Sequence, residues 1–175
     1  MLQQNSIKMK HRLILIFLTV LATIAKAQNQ SLMTINQEAP VIQAKEIIIN
    51  AVPEKVWEVL TNIENWNKWN EKIKHPILQG TLEAGSTFTW KTNGSKINST
   101  IHTFTPNKVL GWTGKTFGAN AIHNWFLMPI ENGTKVSVEE SMEGWIINLM
   151  KRKMNKKLAS DMEYWLEQLK KESEK

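Results

Sequence analysis

The sequence predicts an α+β domain with an antiparallel sheet of about seven strands, two short helices after the first strand and a long C-terminal helix. Two Asn-Gly pairs, Asn93-Gly94 and Asn132-Gly133, each separate two strand-like segments, and this pattern predicts β-hairpins with type I′ turns. Apolar residues recur at three- and four-residue steps from Trp145 to Lys171, which indicates an amphipathic helix.

The first 27 residues are predicted to be a secretory signal peptide that is cleaved near Ala27. Three Lys or Arg residues precede an apolar run from Leu13 to Ala25, and Ala25-Lys26-Ala27 has small residues at the two positions that a signal peptidase reads. The run is shorter than the about 20 apolar residues that span a bilayer, so a membrane anchor is the weaker alternative. A secreted or periplasmic protein is therefore expected.

The processed chain is predicted to hold one domain. Residues 28–40 are polar and read as a flexible leader, and residues 41–172 form the domain. With no Cys there is no disulfide framework. After residue 27 the chain carries 18 Lys and Arg against 16 Asp and Glu, a balance that argues against a nucleic-acid partner. The oligomeric state is not apparent from the sequence.

One basic stretch, Lys151–Lys157, departs from this near-neutral balance. Such a run on a helix usually forms a solvent-exposed face. The more specific alternative is that it contacts an anionic membrane surface. Both readings remain open.

The first strand, Val41–Asn50, is followed by two short helices. Pro53 suits the first turn of a helix, and Val56, Trp57, Leu60 and Ile63 then recur on one face. Trp66 and Trp69 are expected to pin the second helix to the sheet.

Six further strands are predicted from alternating or β-branched runs bounded by turn residues. In chain order they are Ile73–Gly80, Ser86–Thr92, Lys96–Thr105, Lys108–Lys115, Ala121–Ile130 and Thr134–Ser141. Gly111 is expected to mark a bulge or bend in the fourth of these. Both faces of Ala121–Ile130 are largely apolar, so periodicity does not identify the face that lines a cavity.

The helix pair from Val52 to Asn70 resembles the opening of the SRPBCC superfamily, in its polyketide cyclase/dehydrase-like branch among Bet v 1-like and START-like proteins. Five further stretches match the same pattern: Gly85–Trp90, Leu110–Trp112, Ala121–Phe126, Gly133–Val136 and Glu139–Gly144. The resemblance covers nearly all of the predicted mature chain and implies a helix-grip fold. In that fold a curved sheet wraps around the last helix and leaves an apolar cavity between them.

The resemblance implies two classes of function. The first is a protein that binds a hydrophobic small molecule or lipid, and the second is a cyclase or dehydratase. The flat rings of Trp and the flexible thioethers of Met suit a ligand pocket, although both residue types more often pack in the hydrophobic core. The predicted ligand-binding residues are Phe88, Trp90, Ile101, Trp112, His123, Trp125, Met150 and Met154.

His123, Glu140 and Glu139 are the candidates for acid–base chemistry. The predicted hairpin brings His123 within a residue or two of Glu140, and a His beside a carboxylate can serve as a general base. Adjacent strand residues point to opposite faces, so only one of the two glutamates reaches the cavity. The alternative is that His123 is a polar wall residue held by one hydrogen bond.

No metal or cofactor is predicted. His75 and His102 have no partner at metal-ligand spacing, and the HExxH and CxxC patterns are absent. The sequence also lacks the GxSxG, phosphate-loop and dinucleotide motifs of other enzyme classes.

Overall fold

The computed structural model of the protein describes residues 32–175, and the predicted signal peptide and its cleavage site lie outside this part. The strands are β1 (Val41–Ile49), β2 (Lys74–Gln79), β3 (Thr87–Thr92), β4 (Ser95–Thr105), β5 (Val109–Thr116), β6 (Ala119–Ile130) and β7 (Gly133–Glu143). The helices are α1 (Pro53–Thr61), a 3₁₀ turn (Ile63–Asn65), α2 (Trp66–Trp69), α3 (Trp145–Leu149) and α4 (Lys151–Ser173). None of these helices is long and apolar enough to cross a membrane.

The seven strands form one curved antiparallel sheet in the order β1-β7-β6-β5-β4-β3-β2. Each hairpin joins neighbours, and among residues 32–175 the one pair of neighbouring strands that is not consecutive in the chain is β1 with β7. The helix α4 packs against β1 and α1. The predicted helix-grip architecture is thereby confirmed.

One hairpin turn matches its prediction and the other does not. Asn93 and Gly94 have φ of 51° and 80°, as a type I′ turn requires, and Thr92 pairs with Ser95. In the β6–β7 hairpin Ile130 pairs with Gly133, so the two loop residues are Glu131 and Asn132. Gly133 lies outside this two-residue loop. Glycine is required there because a Cβ would lie 2.2 Å from the carbonyl oxygen of Ile49.

The irregularity expected at Gly111 lies on the neighbouring strand. The register between β4 and β5 shifts between Ile101 and Thr103, so the bulged residue is His102. A Cβ on Gly111 would lie 2.4 Å from Cε1 of His102, and Gly111 therefore makes room for the bulged side chain.

The C-terminal segment is two helices rather than the one predicted from Trp145. Met150 has φ −115° and ψ 22°, which interrupts the helix between α3 and α4. Periodicity could not reveal this break, because Ile147, Met150 and Met154 still lie at helical spacing.

Trp66 is the centre of the aromatic core. It is fully buried, its Nε1 donates a hydrogen bond to the carbonyl of Leu60 at 2.8 Å, and its ring contacts the rings of Phe88, Trp112 and Trp165. The short helix α2 is thereby anchored to the sheet, as predicted, and also to α4.

Ordered contacts begin upstream of Val41, where a flexible leader was expected. Ile35 is buried, the amide of Asn36 donates to Oγ of Ser141 at 3.0 Å, and the carbonyl of Met33 accepts from Asn124 at 3.0 Å. Residues 33–36 therefore cover part of the sheet, although this short segment gave no strand or helix signal.

Candidate functional site

A cavity of about 420 Å³ lies between the sheet and α4. Its wall is mainly apolar and draws on β3 to β7, α3 and α4. The larger apolar side chains of this wall include Trp90, Trp112, Met142, Met150, Met154 and Trp165. This volume lies within the range of small-molecule sites, which are concave and mostly apolar.

His123 and Glu140 form the one close pair of a His and a carboxylate among the described residues. They are direct partners across β6 and β7, and Nδ1 of His123 contacts Oε2 of Glu140. Both residues line the cavity. A carboxylate only accepts hydrogen bonds, so with Glu140 ionised the shared proton belongs to Nδ1 of His123. The predicted proximity of the two residues is thus present in the structure.

The imidazole of His123 is enclosed by tryptophan rings. It stacks on Trp112 with 4.4 Å between ring centroids and an interplanar angle of 18°, and Trp125 and Trp165 flank it at 5.5 and 5.9 Å. Its Nε2 is buried and has no hydrogen-bond partner within the described part of the chain. The side chain of Glu140 is 14% exposed against 4% for His123, so Glu140 is the more accessible member of the pair.

Glu139 lies on the opposite face of the sheet. Its Oε1 accepts a hydrogen bond from Nδ2 of Asn124 at 3.0 Å, beneath the segment that contains Met33. The prediction that one of the two glutamates faces the cavity is satisfied by Glu140, and Glu139 is removed from the candidate catalytic set.

The predicted ligand-binding residues divide into two groups. Trp90, Trp112, His123, Met150 and Met154 line the cavity. Three others lie in the packed core instead and are not part of the cavity wall: Phe88, Ile101 and Trp125, each at most 1% exposed. These three share the inner face of the sheet with the cavity residues, and their depth depends on how α1, α2 and α4 cover that face.

A charged rim at the cavity was not foreseen from the sequence. Asp161 on α4 pairs with Lys72 at 3.1 Å and with Lys157 at 3.0 Å. Burial acts to raise the pKa of Asp161, but the hydrogen bonds and charges of Lys157 and Lys72 outweigh it and the pKa is lowered. The i,i+4 spacing of Lys157 and Asp161 was the available signal.

His102 lies away from the cavity in the bulge of β4. Burial lowers its pKa from 6.5 to about 4, and its Nδ1 is 2.8 Å from Oγ1 of Thr103. Within residues 32–175, no three His, Asp or Glu side chains come together as a metal site would require.

Comparison with known proteins places this geometry in context. A family model described as polyketide cyclase / dehydrase and lipid transport matches residues 42–174. No curated protein matches the sequence significantly.

Solved structures share the fold at low sequence identity. A hypothetical protein, jhp0584, from Helicobacter pylori has a TM-score of 0.71 at 17% identity, over 82% of this chain and 98% of its own. The Zhui aromatase/cyclase from a Streptomyces species has a TM-score of 0.67 at 10% identity, over 76% of this chain and 93% of its own. The di-domain ARO/CYC StfQ, from the steffimycin biosynthetic pathway, has a TM-score of 0.67 at 11% identity, over 77% of this chain and half of its own.

Proposed function

Because this chain belongs to the family described as polyketide cyclase / dehydrase and lipid transport, we propose that it is an exported protein that binds a hydrophobic small molecule or lipid. The observation that carries the proposal is the apolar cavity of about 420 Å³ between the sheet and α4. Export rests on the signal-peptide pattern of residues 1–27.

The cavity wall suits a ligand that is mostly apolar and has one polar end. Trp90, Trp112 and Trp165 offer flat surfaces, while Met150 and Met154 have unbranched thioether side chains that adapt to different shapes. Among these apolar groups Glu140 is a hydrogen-bond acceptor that His123 holds in place. A ligand hydroxyl or amine would donate to Glu140, and this contact would orient the ligand.

Filling the cavity tests the proposal. Ala121 lines the cavity opposite Met142, and Ala121→Trp would place an indole in the space that the ligand needs. We expect uptake of an apolar fluorescent dye to fall at least about tenfold, which is a free-energy change of about 1.4 kcal/mol. The measurement is a dye titration alongside a thermal unfolding curve.

Met128→Trp is the matched control, because Met128 lies on the same strand, is 53% exposed and is absent from the cavity wall. It should bind the dye as the unaltered protein does. Ala121→Leu, a smaller addition, guards against misfolding and should give an intermediate loss. Equal dye uptake by a folded Ala121→Trp variant and by the control would contradict binding in the cavity.

A cyclase or dehydratase is the second candidate, and the contact between His123 and Glu140 favours it. In that reading Glu140 takes a proton from an acidic C–H of the substrate and the electron pair of that bond stays on the substrate, while the hydrogen bond from Nδ1 of His123 positions Glu140.

Glu140→Gln separates the two candidates once a retained ligand has been identified. If Glu140 is the base, conversion of that ligand should fall about 10²- to 10⁴-fold with little change in its binding. A binding protein would show no conversion at all, and its affinity would weaken by about 1–3 kcal/mol because one buried hydrogen bond is lost. The measurements are product formation and a binding isotherm on the same preparation.

A further inference from the structure

Three strongly exposed apolar side chains lie at the edge of the cavity. Phe117, Trp145 and Leu149, here called the mouth patch, are 80%, 60% and 78% exposed. Phe117 is in the β5–β6 turn, and its ring centroid lies 5.7 Å from that of Trp145 in α3. Phe117 lines the cavity, as does Met150 next to Leu149. Single exposed apolar residues need no explanation, but a cluster of them indicates an interaction surface.

The mouth patch is held by close backbone packing. The amide of Ile146 donates to the carbonyl of Gly118 at 3.3 Å, which joins α3 to the β5–β6 turn. A Cβ on Gly144 would lie 2.3 Å from the carbonyl oxygen of Gly118, so glycine is required for this approach. The two segments that carry the mouth patch are therefore fixed against each other.

Three exposed cations, Lys151, Arg152 and Lys153, directly follow α3 in the first turn of α4. None of them pairs with a carboxylate among residues 32–175, whereas Lys157 one turn later pairs with Asp161. Cations at a helix N-terminus oppose the helix dipole, so stability of α4 does not explain their position. Binding to an anionic partner outside the protein explains the position of these three cations.

We infer that the mouth patch and Lys151–Lys153 together dock the protein on an anionic phospholipid bilayer, with the cavity opening toward the lipid. Trp rings favour the headgroup level of a membrane, and basic residues beside inserted apolar side chains add attraction to anionic lipids. The inference rests on the proposed function, because a hydrophobic ligand would pass between bilayer and cavity without crossing water. A second copy of this chain is an outcome that the experiment below distinguishes.

Vesicle flotation tests the docking surface. The protein as recovered from its host, with its processed N-terminus read from its intact mass, is mixed with vesicles of phosphatidylcholine alone or with about one third phosphatidylglycerol. We expect binding to the anionic vesicles and at least about tenfold weaker binding to the neutral ones. High salt should weaken binding, because it screens surface charges.

Two triple variants test separately how the apolar and the charged parts of the docking surface contribute to vesicle binding. Phe117→Ser, Trp145→Ser and Leu149→Ser together should reduce the partition coefficient at least about tenfold. Lys151→Gln, Arg152→Gln and Lys153→Gln together should do the same at low salt and remove most of the preference for phosphatidylglycerol.

Matched controls alter exposed residues of the same kind elsewhere on the surface. Ile48→Ser, Ile77→Ser and Met128→Ser remove three exposed apolar side chains, and a second control removes three exposed cations by Lys55→Gln, Lys68→Gln and Lys74→Gln. Both controls should bind vesicles as the unaltered protein does. Equal losses in test and control variants would overturn the assignment of this surface, as would failure of the unaltered protein to bind anionic vesicles.

Ligand retention, measured by native mass spectrometry on the same preparations, keeps the two proposals distinct. A protein that retains ligand but does not bind vesicles would overturn docking and leave ligand binding intact. A protein that binds vesicles through this surface but never carries ligand would support docking and contradict the proposed function. Self-association that the mouth-patch variant abolishes, without vesicle binding, would overturn membrane docking and assign the surface to a second copy of this chain.

Discussion

Gly111 on β5 lies between the side chains of His102 and Asn124, on the face of the sheet opposite the cavity. An ideal Cβ at this position would lie 2.4 Å from Cε1 of His102 and 2.5 Å from Oδ1 of Asn124. Both neighbours are held, since His102 contacts Thr103 and Asn124 donates to Glu139 and to the carbonyl of Met33. The missing side chain therefore allows the bulge in β4 and the covering segment to pack on this face.

Gly111→Ala should destabilise the protein by about 1–3 kcal/mol, the cost of overpacking a well-filled site. Gly114→Ala on the same strand is the matched control, because its Cβ would lie 3.3 Å from Cγ2 of Ile97 and needs only a small adjustment. The measurement is the free energy of unfolding in urea. Equal free energies for the two variants would show that the space around Gly111 is not limiting.

At the scale of elements, α4 is joined to the segment before β2 by Asp161. Its carboxylate accepts hydrogen bonds from Lys72, from Lys157 and from Nδ2 of Asn93 at 3.1 Å, so one side chain links α4 to two loops. These loops lie at the rim of the cavity. The position of α4 over the sheet, and with it the opening of the cavity, depends in part on this carboxylate.

Asp161→Asn should lower the free energy of unfolding near pH 7 by about 1 kcal/mol, because the side chain is only partly buried and its pairs are partly screened. The pKa of Asp161 is lowered in the folded protein. Its contribution to the free energy of unfolding is therefore present above the unfolded-chain pKa of 3.8 and is lost as the pH falls through the lower pKa of the folded protein. Unfolding in urea near pH 7 and pH 3 should show the difference between variant and unaltered protein shrinking. A difference that is constant with pH would contradict this role. Glu163→Gln is the control, because Glu163 pairs with Lys45 but its side chain is 56% exposed against 27% for Asp161.

The order of elements could be read from the sequence, because strand alternation, hairpin turns and helical periodicity are local signals. The proximity of His123 and Glu140 could be predicted in the same way, because a two-residue hairpin loop sets which residues of its two strands lie opposite each other. The break at Met150 and the contacts of residues 33–36 could not, because they depend on tertiary packing. The same holds for the burial of Phe88, Ile101 and Trp125.

At the scale of the whole molecule, the sheet and α4 do not fill the space between them. Trp66 and its neighbouring rings fill one part of the interior, while the remaining part is the cavity that Glu140 and the tryptophan and methionine side chains line. A packed interior normally leaves few voids larger than a water molecule. A cavity of about 420 Å³ that reaches the surface at its rim is large enough for the ligand that we propose.

The most direct measurement is native mass spectrometry of the protein purified from the envelope fraction of its own host, followed by denaturing release of anything bound. Ligand binding predicts a discrete apolar compound retained at one per chain and displaced in the Ala121→Trp variant but not in Met128→Trp. A protein that carries no compound and takes up no apolar dye would contradict the central claim that this cavity is a ligand site.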